Sequence, residues 1–149
     1  KSAHDCAEGG LAVALAEGCI SNYTGRNTST LVGADVNLTT SAGAAISHPC
    51  LDGNGDSCGG AVSSPDENSR EPRLDALLYG EANGRVVIST AELDAVKAVE
   101  RARLLGVPAV RIGTVGGDAL KIKTPAGEHT WGLSGLHDLW WNSIANAMG

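Results

Sequence analysis

The first residues of the chain place side chains that could do chemistry directly ahead of an apolar segment. His4, Asp5 and Glu8 precede the pair Gly9 and Gly10, and an alanine-rich stretch follows. Glycines let a backbone turn tightly and approach a ligand closely. The start of a helix offers unpaired N–H groups and the positive end of its dipole, which favour a phosphate. The segment therefore predicts an anion-facing loop that opens a helix.

The same residues also allow a structural interpretation. Asp5 could cap the helix and His4 could lie on the surface, whereas in the functional interpretation the carboxylate would hold Mg²⁺ beside a phosphate. Gly9 and Gly10 could equally serve close packing of the helix on its sheet. Neither nucleotide fingerprint, G-x-G-x-x-G or G-x-x-x-x-G-K-[ST], occurs in the chain. For His4 and Asp5 the spacing alone favours the structural interpretation.

Other candidate sites lack a complete set of ligands or reacting groups. The stretch 52–56 (Asp-Gly-Asn-Gly-Asp) begins like a calcium loop, but serines stand where its glycine and its bidentate glutamate belong. His48, Cys50 and Cys58 could supply three zinc ligands, and the fourth is missing. The G-x-S-x-G spacing of a nucleophile elbow occurs at 55–59 (Gly-Asp-Ser-Cys-Gly), but that stretch predicts a loop and not the strand–turn–helix context that the elbow requires. We therefore assign no catalytic residue and no metal ligand.

Hydrophobic periodicity and turn residues predict the elements that must position these side chains. The predicted helices are 9–19, 74–79, 90–105 and 135–148, and the predicted strands are 34–39, 85–89, 109–113 and 119–123. The last two strands should form a hairpin through a turn at 114–117, with Leu120 and Ile122 facing inward. The stretch 40–72, rich in Ser, Gly, Asp, Asn and Pro, predicts a long loop insertion.

The predicted helices have apolar inner faces and polar caps. Ser89 with Glu92 forms a capping box for the third helix, and Ser134 caps the last one. Strand 85–89 is predicted to be well buried because it is rich in β-branched residues. Trp141 should point away from the core, toward another domain, a partner or solvent. The inner faces of the first, third and last helices comprise Leu11, Ala14, Leu15 and Cys19; Leu93, Val96, Val99 and Leu104; and Leu136, Leu139, Trp140 and Ile144.

Composition bounds the fold and the partners. The chain has 149 residues with three tryptophans, two tyrosines and no phenylalanine, so one core of Val, Leu, Ile and Ala is expected. We predict an α/β (α+β) fold, a mixed and mainly antiparallel sheet with helices packed on one face. The net charge of −6 without a basic run disfavours nucleic acid, and no apolar run suits a membrane span. The start at Lys1 suggests a fragment or a processed product.

Several stretches, in order, resemble one family: the C-terminal domain of the synthetase (large) subunit of phosphoribosylformylglycinamidine synthase. Residues 2–17 resemble its glycine loop and helix. Residues 77–81 and 84–89 are similar to its "L-L-F-G-E … G-R-V-V-V-S" stretch, with Tyr79 in place of Phe. The "G-V-P" turn at 106–108, the "I-G-x-V-G-G" turn at 112–117 and the final helix at 139–141 complete the resemblance, which omits only 40–72.

The resemblance implies a fold like the C-terminal domain of aminoimidazole ribonucleotide synthetase, with residues 1–149 as one domain of a larger synthetase. The full enzyme would convert formylglycinamide ribonucleotide, ATP and glutamine-derived ammonia into the amidine, an ATP-dependent C–N ligation of purine biosynthesis, with Mg²⁺ on the nucleotide. Its partners would be upstream domains of the same polypeptide and a glutaminase subunit or domain, in the cytoplasm. No nucleic acid or membrane is implied.

The family's catalytic groups lie mostly in earlier domains, so the isolated chain is expected to be inactive. Asp5, Glu8, Gly9 and Gly10 match the family's glycine-rich loop, which implies an auxiliary nucleotide-phosphate role for them. Two alternatives stay open: a non-catalytic nucleotide-binding or scaffold module, and a sister ligase or kinase of the same superfamily. The second is disfavoured because the sister loop more often reads His-Asp-x-Ser/Thr-Gly-Gly-Gly, unlike residues 4–10 here.

Overall fold

The computed structural model describes residues 2–20, 31–39, 73–81 and 84–149, and the backbone of two short strands between the first two ranges. The loop predicted at 40–72, with its calcium-like and zinc-like residues, lies outside the described residues. In chain order the elements are β1 (Ser2–Asp5), α1 (Gly10–Ile20), β2 (Tyr23–Thr24), β3 (Thr28–Ser29), β4 (Ala34–Asn37), α2 (Leu74–Tyr79), β5 (Val86–Ser89), α3 (Glu92–Leu104), β6 (Gly113–Val115), β7 (Ala119–Thr124), β8 (Gly127–Gly132), α4 (Leu133–Trp141) and α5 (Ser143–Met148).

The described strands form three groups. β1 pairs with β5 and β2 pairs with β3, both antiparallel. A four-stranded sheet has the order β6-β4-β7-β8, in which β4 is antiparallel to β6 and parallel to β7, and β7 is antiparallel to β8. Helices alternate with these strands along the chain, so the predicted α+β class with mixed, mainly antiparallel pairing is confirmed.

The alternation predicted for the penultimate strand is confirmed. In β7, Leu120 and Ile122 are buried while Lys121 and Lys123 are exposed. The parallel register sets Leu120 against Ala34 and Ile122 against Val36, so two strands present their apolar residues on the same face. This face of the sheet meets α1, whose side chains complete the core.

The core lies between the four-stranded sheet and the helices α1, α2 and α4. The stripe predicted on the first helix is confirmed, since all four of its residues are buried. The buried hydrophobic residues are Cys6, Leu11, Ala14, Leu15, Cys19, Ile20, Ala34, Val36, Leu38, Leu77, Leu78, Leu120, Ile122 and Leu133.

The predicted hairpin of 109–113 with 119–123 is wrong. Residues 109–112 lie outside any strand, and β6 begins at Gly113 and pairs with β4 instead of β7. The close approach of β6 to β4 requires a glycine, because a Cβ on Gly113 would lie 2.1 Å from the carbonyl oxygen of Asp35. The hairpin partner of β7 is β8, a strand of exposed residues that shows no apolar alternation.

The predicted burial of 85–89 and of the third helix is wrong. β5 pairs only with β1 among the described strands, and Val86 and Ile88 are 57% and 55% exposed. α3 has no buried residue; Val99 is half-buried, whereas Leu93, Val96 and Leu104 are exposed. Within the described part of the chain, these apolar side chains have no layer packed over them.

Two predicted helix caps are also wrong. The hydroxyl of Ser89 lies 2.8 Å from that of Ser2, so it bonds across the β1–β5 pair instead of capping a helix. The N-cap of α3 is Ala91, which makes no side-chain hydrogen bond. The last helix begins one residue before Ser134, with Gly132 at its N-cap.

The predicted final helix is divided in two. α4 ends at Trp141, Asn142 adopts φ −94° and ψ 6°, and α5 follows. The hydroxyl of Ser143 donates a hydrogen bond to the carbonyl oxygen of Trp140 at 2.9 Å. Of the predicted inner face, Leu136 packs partly against the core, whereas Leu139, Trp140 and Ile144 are exposed.

A matched pair of leucines tests this distribution of burial. Leu38 is 1% exposed and Leu104 is 87% exposed. We expect Leu38→Ala to lower the free energy of unfolding by about 2–5 kcal/mol, because it opens a cavity in the core. Leu104→Ala should change it by less than about 0.5 kcal/mol. Urea unfolding of the two variants measures both values, and equal losses would contradict the exposed position of α3.

Candidate functional site

The candidate site is the glycine turn, defined here as residues 6–10, which joins β1 to α1. Gly9 and Gly10 adopt φ values of +75° and +76°. This left-handed region is strained for residues with a Cβ, so two consecutive positions of the turn favour glycine. The pair reverses the chain between the end of β1 and the first turn of α1.

Gly10 lies against the backbone at the end of α2. A Cβ on Gly10 would lie 2.6 Å from the carbonyl carbon of Tyr79 and 2.7 Å from the carbonyl oxygen of Leu78. Neither contact can be relieved by a side-chain rotation, because both partners are backbone atoms. Close packing of α1 on α2 therefore accounts for the glycine at this position without a ligand.

Gly9 makes a hydrogen bond that the sequence did not reveal. Its N–H donates to Oε1 of Glu81 at 2.9 Å, and Glu81 lies just beyond the end of α2. A carboxylate of the chain itself thus occupies a backbone donor that a phosphate would use. Sequence reasoning missed this partner because it is 72 positions away. The only available signal was the Leu-Leu-Tyr-Gly-Glu stretch at 77–81, which carries part of the family resemblance.

Arg85 forms further hydrogen bonds with the end of α2. Its guanidinium donates to the carbonyl oxygens of Leu77 at 3.1 Å and Gly80 at 3.3 Å, which satisfies acceptors at the end of α2. The carbonyl oxygen of Arg85 accepts the N–H of Cys6 at 3.0 Å. Burial raises the pKa of the Cys6 thiol, which keeps it in the protonated form and suits a packing role.

His4 links β1 to α1 and is half-buried. Its Nε2 lies 2.9 Å from Oε2 of Glu17, and its Nδ1 lies 2.6 Å from the carbonyl oxygen of Asp5. Both ring nitrogens face acceptors, so the imidazolium form can donate to each. The hydrogen bond to the Asp5 carbonyl chiefly raises the pKa of His4, burial opposes this, and Glu17 adds to the rise.

The sequence interpretations of His4 and Asp5 as surface and capping residues are wrong. His4 has two hydrogen-bonded partners, and Asp5 ends β1 before α1 begins at Gly10. Asp5 and Glu8 are exposed beside the turn. Within residues 2–20, 31–39, 73–81 and 84–149, no three His, Cys, Asp or Glu side chains are arranged to hold a metal ion. A nucleotide phosphate could accept the N–H of Gly9 only if Glu81 released it.

A second group of candidate residues lies at the carboxyl end. His137 stacks on Trp141 with ring centroids 6.0 Å apart and an interplanar angle of 10°, and Trp140 lies 6.1 Å from Trp141. Trp131 stacks instead on His129 of β8, with centroids 5.8 Å apart. The prediction of Trp140 as a core residue is wrong, because 39% of it is exposed. The rings of His137, Trp140 and Trp141 form one cluster at the surface.

Comparison with known proteins gives one consistent relationship, although no family model matches the chain. A phosphoribosylformylglycinamidine synthase subunit PurL from Anaeromyxobacter dehalogenans is 35% identical over 122 residues, which is 82% of this chain and 12% of the relative. The PurL subunit of Deinococcus radiodurans is 33% identical over 84% of the chain. The subunit of Thermomicrobium roseum is 28% identical over 98% of the chain.

The chain thus spans about one eighth of the length of the curated relatives it matches. The family resemblance predicted from the ordered motifs is confirmed. Within the described part of the chain, no helix combines the length and apolar character needed to cross a membrane.

Two glycines of α1 test the packing role of the turn. We expect Gly10→Ala to lower the free energy of unfolding by about 2–4 kcal/mol, because it adds strain at positive φ and a clash with the backbone of α2. Gly18→Ala is the matched control, since nothing lies within 4 Å of its added Cβ. It should raise stability by up to about 1 kcal/mol. Chemical unfolding measures both, and a neutral Gly10→Ala would contradict the contact.

The linkage of His4 predicts a pH dependence of stability. Because its folded pKa is raised, its contribution is fully present below the ordinary imidazole pKa of about 6.5 and is lost as pH rises through the folded value. His4→Ala should remove this loss, and the change should stay below about 1 kcal/mol because the pair is partly exposed. Thermal unfolding from pH 5 to 9 measures it. An unchanged profile in His4→Ala would refute the link.

Proposed function

The chain belongs to the family of the phosphoribosylformylglycinamidine synthase subunit PurL, of which it spans about one eighth, and on that premise we propose that it is one domain of such a synthetase. The observation that carries the proposal is the 35% identity over 122 residues. The parent protein would act in purine biosynthesis, in the cytoplasm. It would convert formylglycinamide ribonucleotide to the amidine with ammonia from a glutaminase subunit or domain, in a C–N ligation activated by MgATP.

The chain itself would complete the assembly, and no catalytic residue is assigned to it. Its unpartnered apolar surface supports this role: Val86 and Ile88 on β5, and Leu93, Val96 and Leu104 on α3, are exposed. Leu93, Val96 and Leu104 lie on one face of α3 by their helical spacing, and an exposed apolar helix face is typical of protein contacts. Upstream domains of the same polypeptide would cover them and would supply most of the groups that bind ATP, Mg²⁺ and substrate.

An auxiliary nucleotide-phosphate role for Asp5, Glu8, Gly9 and Gly10 is also part of the proposal. Bound ATP would supply the phosphoryl group that activates the amide oxygen, whereas at the glycine turn a nucleotide phosphate would only be held. The Gly9 N–H would then exchange the carboxylate of Glu81 for the phosphate.

One observation favours a second candidate, a scaffold role without nucleotide. Gly10 is accounted for by its contact with Tyr79, and the N–H of Gly9 is bound by Glu81. In this alternative the glycine turn serves only to pack α1 against α2, and the chain supports the synthetase only through its surfaces.

Deletion from the full-length parent protein tests the main proposal. We expect removal of the segment corresponding to residues 1–149 to abolish amidine formation and to impair assembly, because its apolar surfaces would be missing. The measurement is amidine production from formylglycinamide ribonucleotide, ATP and glutamine, together with the sedimentation of the complex. Gly18→Ala in the full-length protein is the control and should keep full activity. Undiminished activity after the deletion would refute the proposal.

A titration of the 149-residue chain with ADP and Mg²⁺ separates the two roles of the turn. Amide shifts at Gly9 and Gly10, enhanced in Glu81→Gln because a competing carboxylate charge is removed, support the nucleotide role. Shifts absent from both proteins support the scaffold role.

A further inference from the structure

The helices α4 and α5 at the carboxyl end follow one almost continuous helical path. The N–H of Asn142 donates to the carbonyl oxygen of Asp138 at 3.0 Å, and the N–H of Asn146 donates to the carbonyl oxygen of Asn142 at 2.8 Å. Both bonds join residues four positions apart, as in an uninterrupted α-helix. Side chains three, four, seven or eight positions apart therefore share one face across the junction at Asn142.

One face of this path passes from the core into solvent. Leu133 is buried and Leu136 packs partly against the core. Four larger apolar residues continue this face and are exposed, from 39% for Trp140 to 82% for Met148. We call this set the C-terminal stripe; it comprises Trp140, Trp141, Ile144 and Met148. An apolar stripe that is left in solvent is typical of a protein contact surface.

The charge around the C-terminal stripe limits what can cover it. Residues 139–149 contain no ionisable side chain, and the first acidic or basic side chain before them is that of Asp138. A charged surface would lose its hydration against the stripe and would find no counter-charge there. A membrane surface is disfavoured because helices that lie on membranes present Lys and Arg beside their apolar face, and residues 133–149 include neither. The occupant is therefore a neutral, apolar protein surface.

The chain itself presents one such surface, which is the C-terminal stripe. The other exposed apolar helix face, on α3, carries charges: Lys97 lies four positions after Leu93, and Glu100 lies four positions after Val96. A second copy of the stripe carries no such charge. Two copies of the stripe can therefore cover each other without burying an ion.

Two copies of the stripe can pair around a twofold axis. In an antiparallel pair centred on Ile144, this residue meets Ile144 of the partner copy, and the tryptophan rings meet Met148 of the partner copy, a favourable sulfur–aromatic contact. The ring of Trp141 already stacks on His137 with centroids 6.0 Å apart, so pairing orders little more of it. Four large side chains per copy bury on the order of 1,000 Å² in total, the lower limit of a specific interface, which indicates a weak dimer.

We propose that the C-terminal stripe forms a contact between two copies of this chain, with α4 and α5 of one copy antiparallel to those of the other. The contact uses no residue of the glycine turn, of β5 or of α3, and it goes beyond the proposed function. It would also join two copies of the full-length parent protein.

Sedimentation velocity of the 149-residue chain tests the dimer at concentrations from about 1 μM to about 1 mM. We expect a reversible shift from monomer to dimer, which added salt strengthens because it screens the repulsion between two copies of net charge −6. Ile144→Glu should weaken the dimer at least tenfold, because it places two carboxylates at the twofold axis. An isotope-filtered nuclear Overhauser spectrum of mixed labelled and unlabelled chains should show contacts between the Met148 methyl group and the tryptophan rings of the other copy.

Leu139→Glu is the matched control. Leu139 is 72% exposed and Ile144 is 73% exposed, and both substitutions add the same charge. Leu139 precedes Ile144 by five positions, which places it on another face of the helical path. Its variant should dimerise with an affinity within about twofold of the wild type. Far-UV circular dichroism reports the folding of each variant, and Met148→Gln replaces Ile144→Glu if the latter does not fold.

The full-length parent protein distinguishes the other occupants. We expect it to dimerise as well, and the substitution corresponding to Ile144→Glu to weaken its dimer. A monomeric parent protein, in which another domain covers the stripe, would overturn the proposal, as would a parent dimer that is insensitive to this substitution. A 149-residue chain that stays monomeric, that binds vesicles of phosphatidylcholine and phosphatidylserine instead, or that dimerises equally in both variants would also overturn it.

Discussion

The close approach of two backbones, where Gly10 meets the end of α2, is the contact on which the rest of this structure depends. An added Cβ would lie within 2.7 Å of three backbone atoms of Leu78 and Tyr79, so the two helices touch without a side chain between them. α1 carries the largest share of the buried apolar stripe, and α2 contributes Leu77 and Leu78 to the same core. Because β1 leads directly into α1, this contact also positions the β1–β5 pair.

Two polar contacts stabilise the region where the glycine turn meets α2, and one of them limits the binding of a phosphate at the turn. The hydrogen bond from the N–H of Gly9 to Glu81 occupies a backbone donor of the turn. The hydrogen bond between His4 and Glu17 connects β1 to α1. The glycine turn therefore differs from a phosphate-binding loop whose N–H groups are free, although it has the same kinds of residues.

Local hydrophobic patterns in the sequence predicted the helices and strands that pack one apolar face on the core. They failed where a strand is defined only by its backbone pairing with another strand. The apolar stripe of α1 and the alternation of β7 were visible from the sequence because both elements pack one face on the core. β8 was missed because it pairs through its backbone and exposes its side chains. For the site, the sequence supplied the glycines and the family. It could not supply Glu81 as a partner of Gly9, since that contact depends on how α2 packs.

One measurement on the labelled 149-residue chain tests the central claim that the glycine turn packs α1 against α2. A nuclear Overhauser spectrum can detect the contact between the Hα protons of Gly10 and the Hα proton of Tyr79. We expect a strong cross-peak, because a Cβ built on Gly10 would lie 2.7 Å from the Cα of Tyr79. Its absence, with the resonances of both residues assigned and α1 intact, would contradict the packing of α1 on α2.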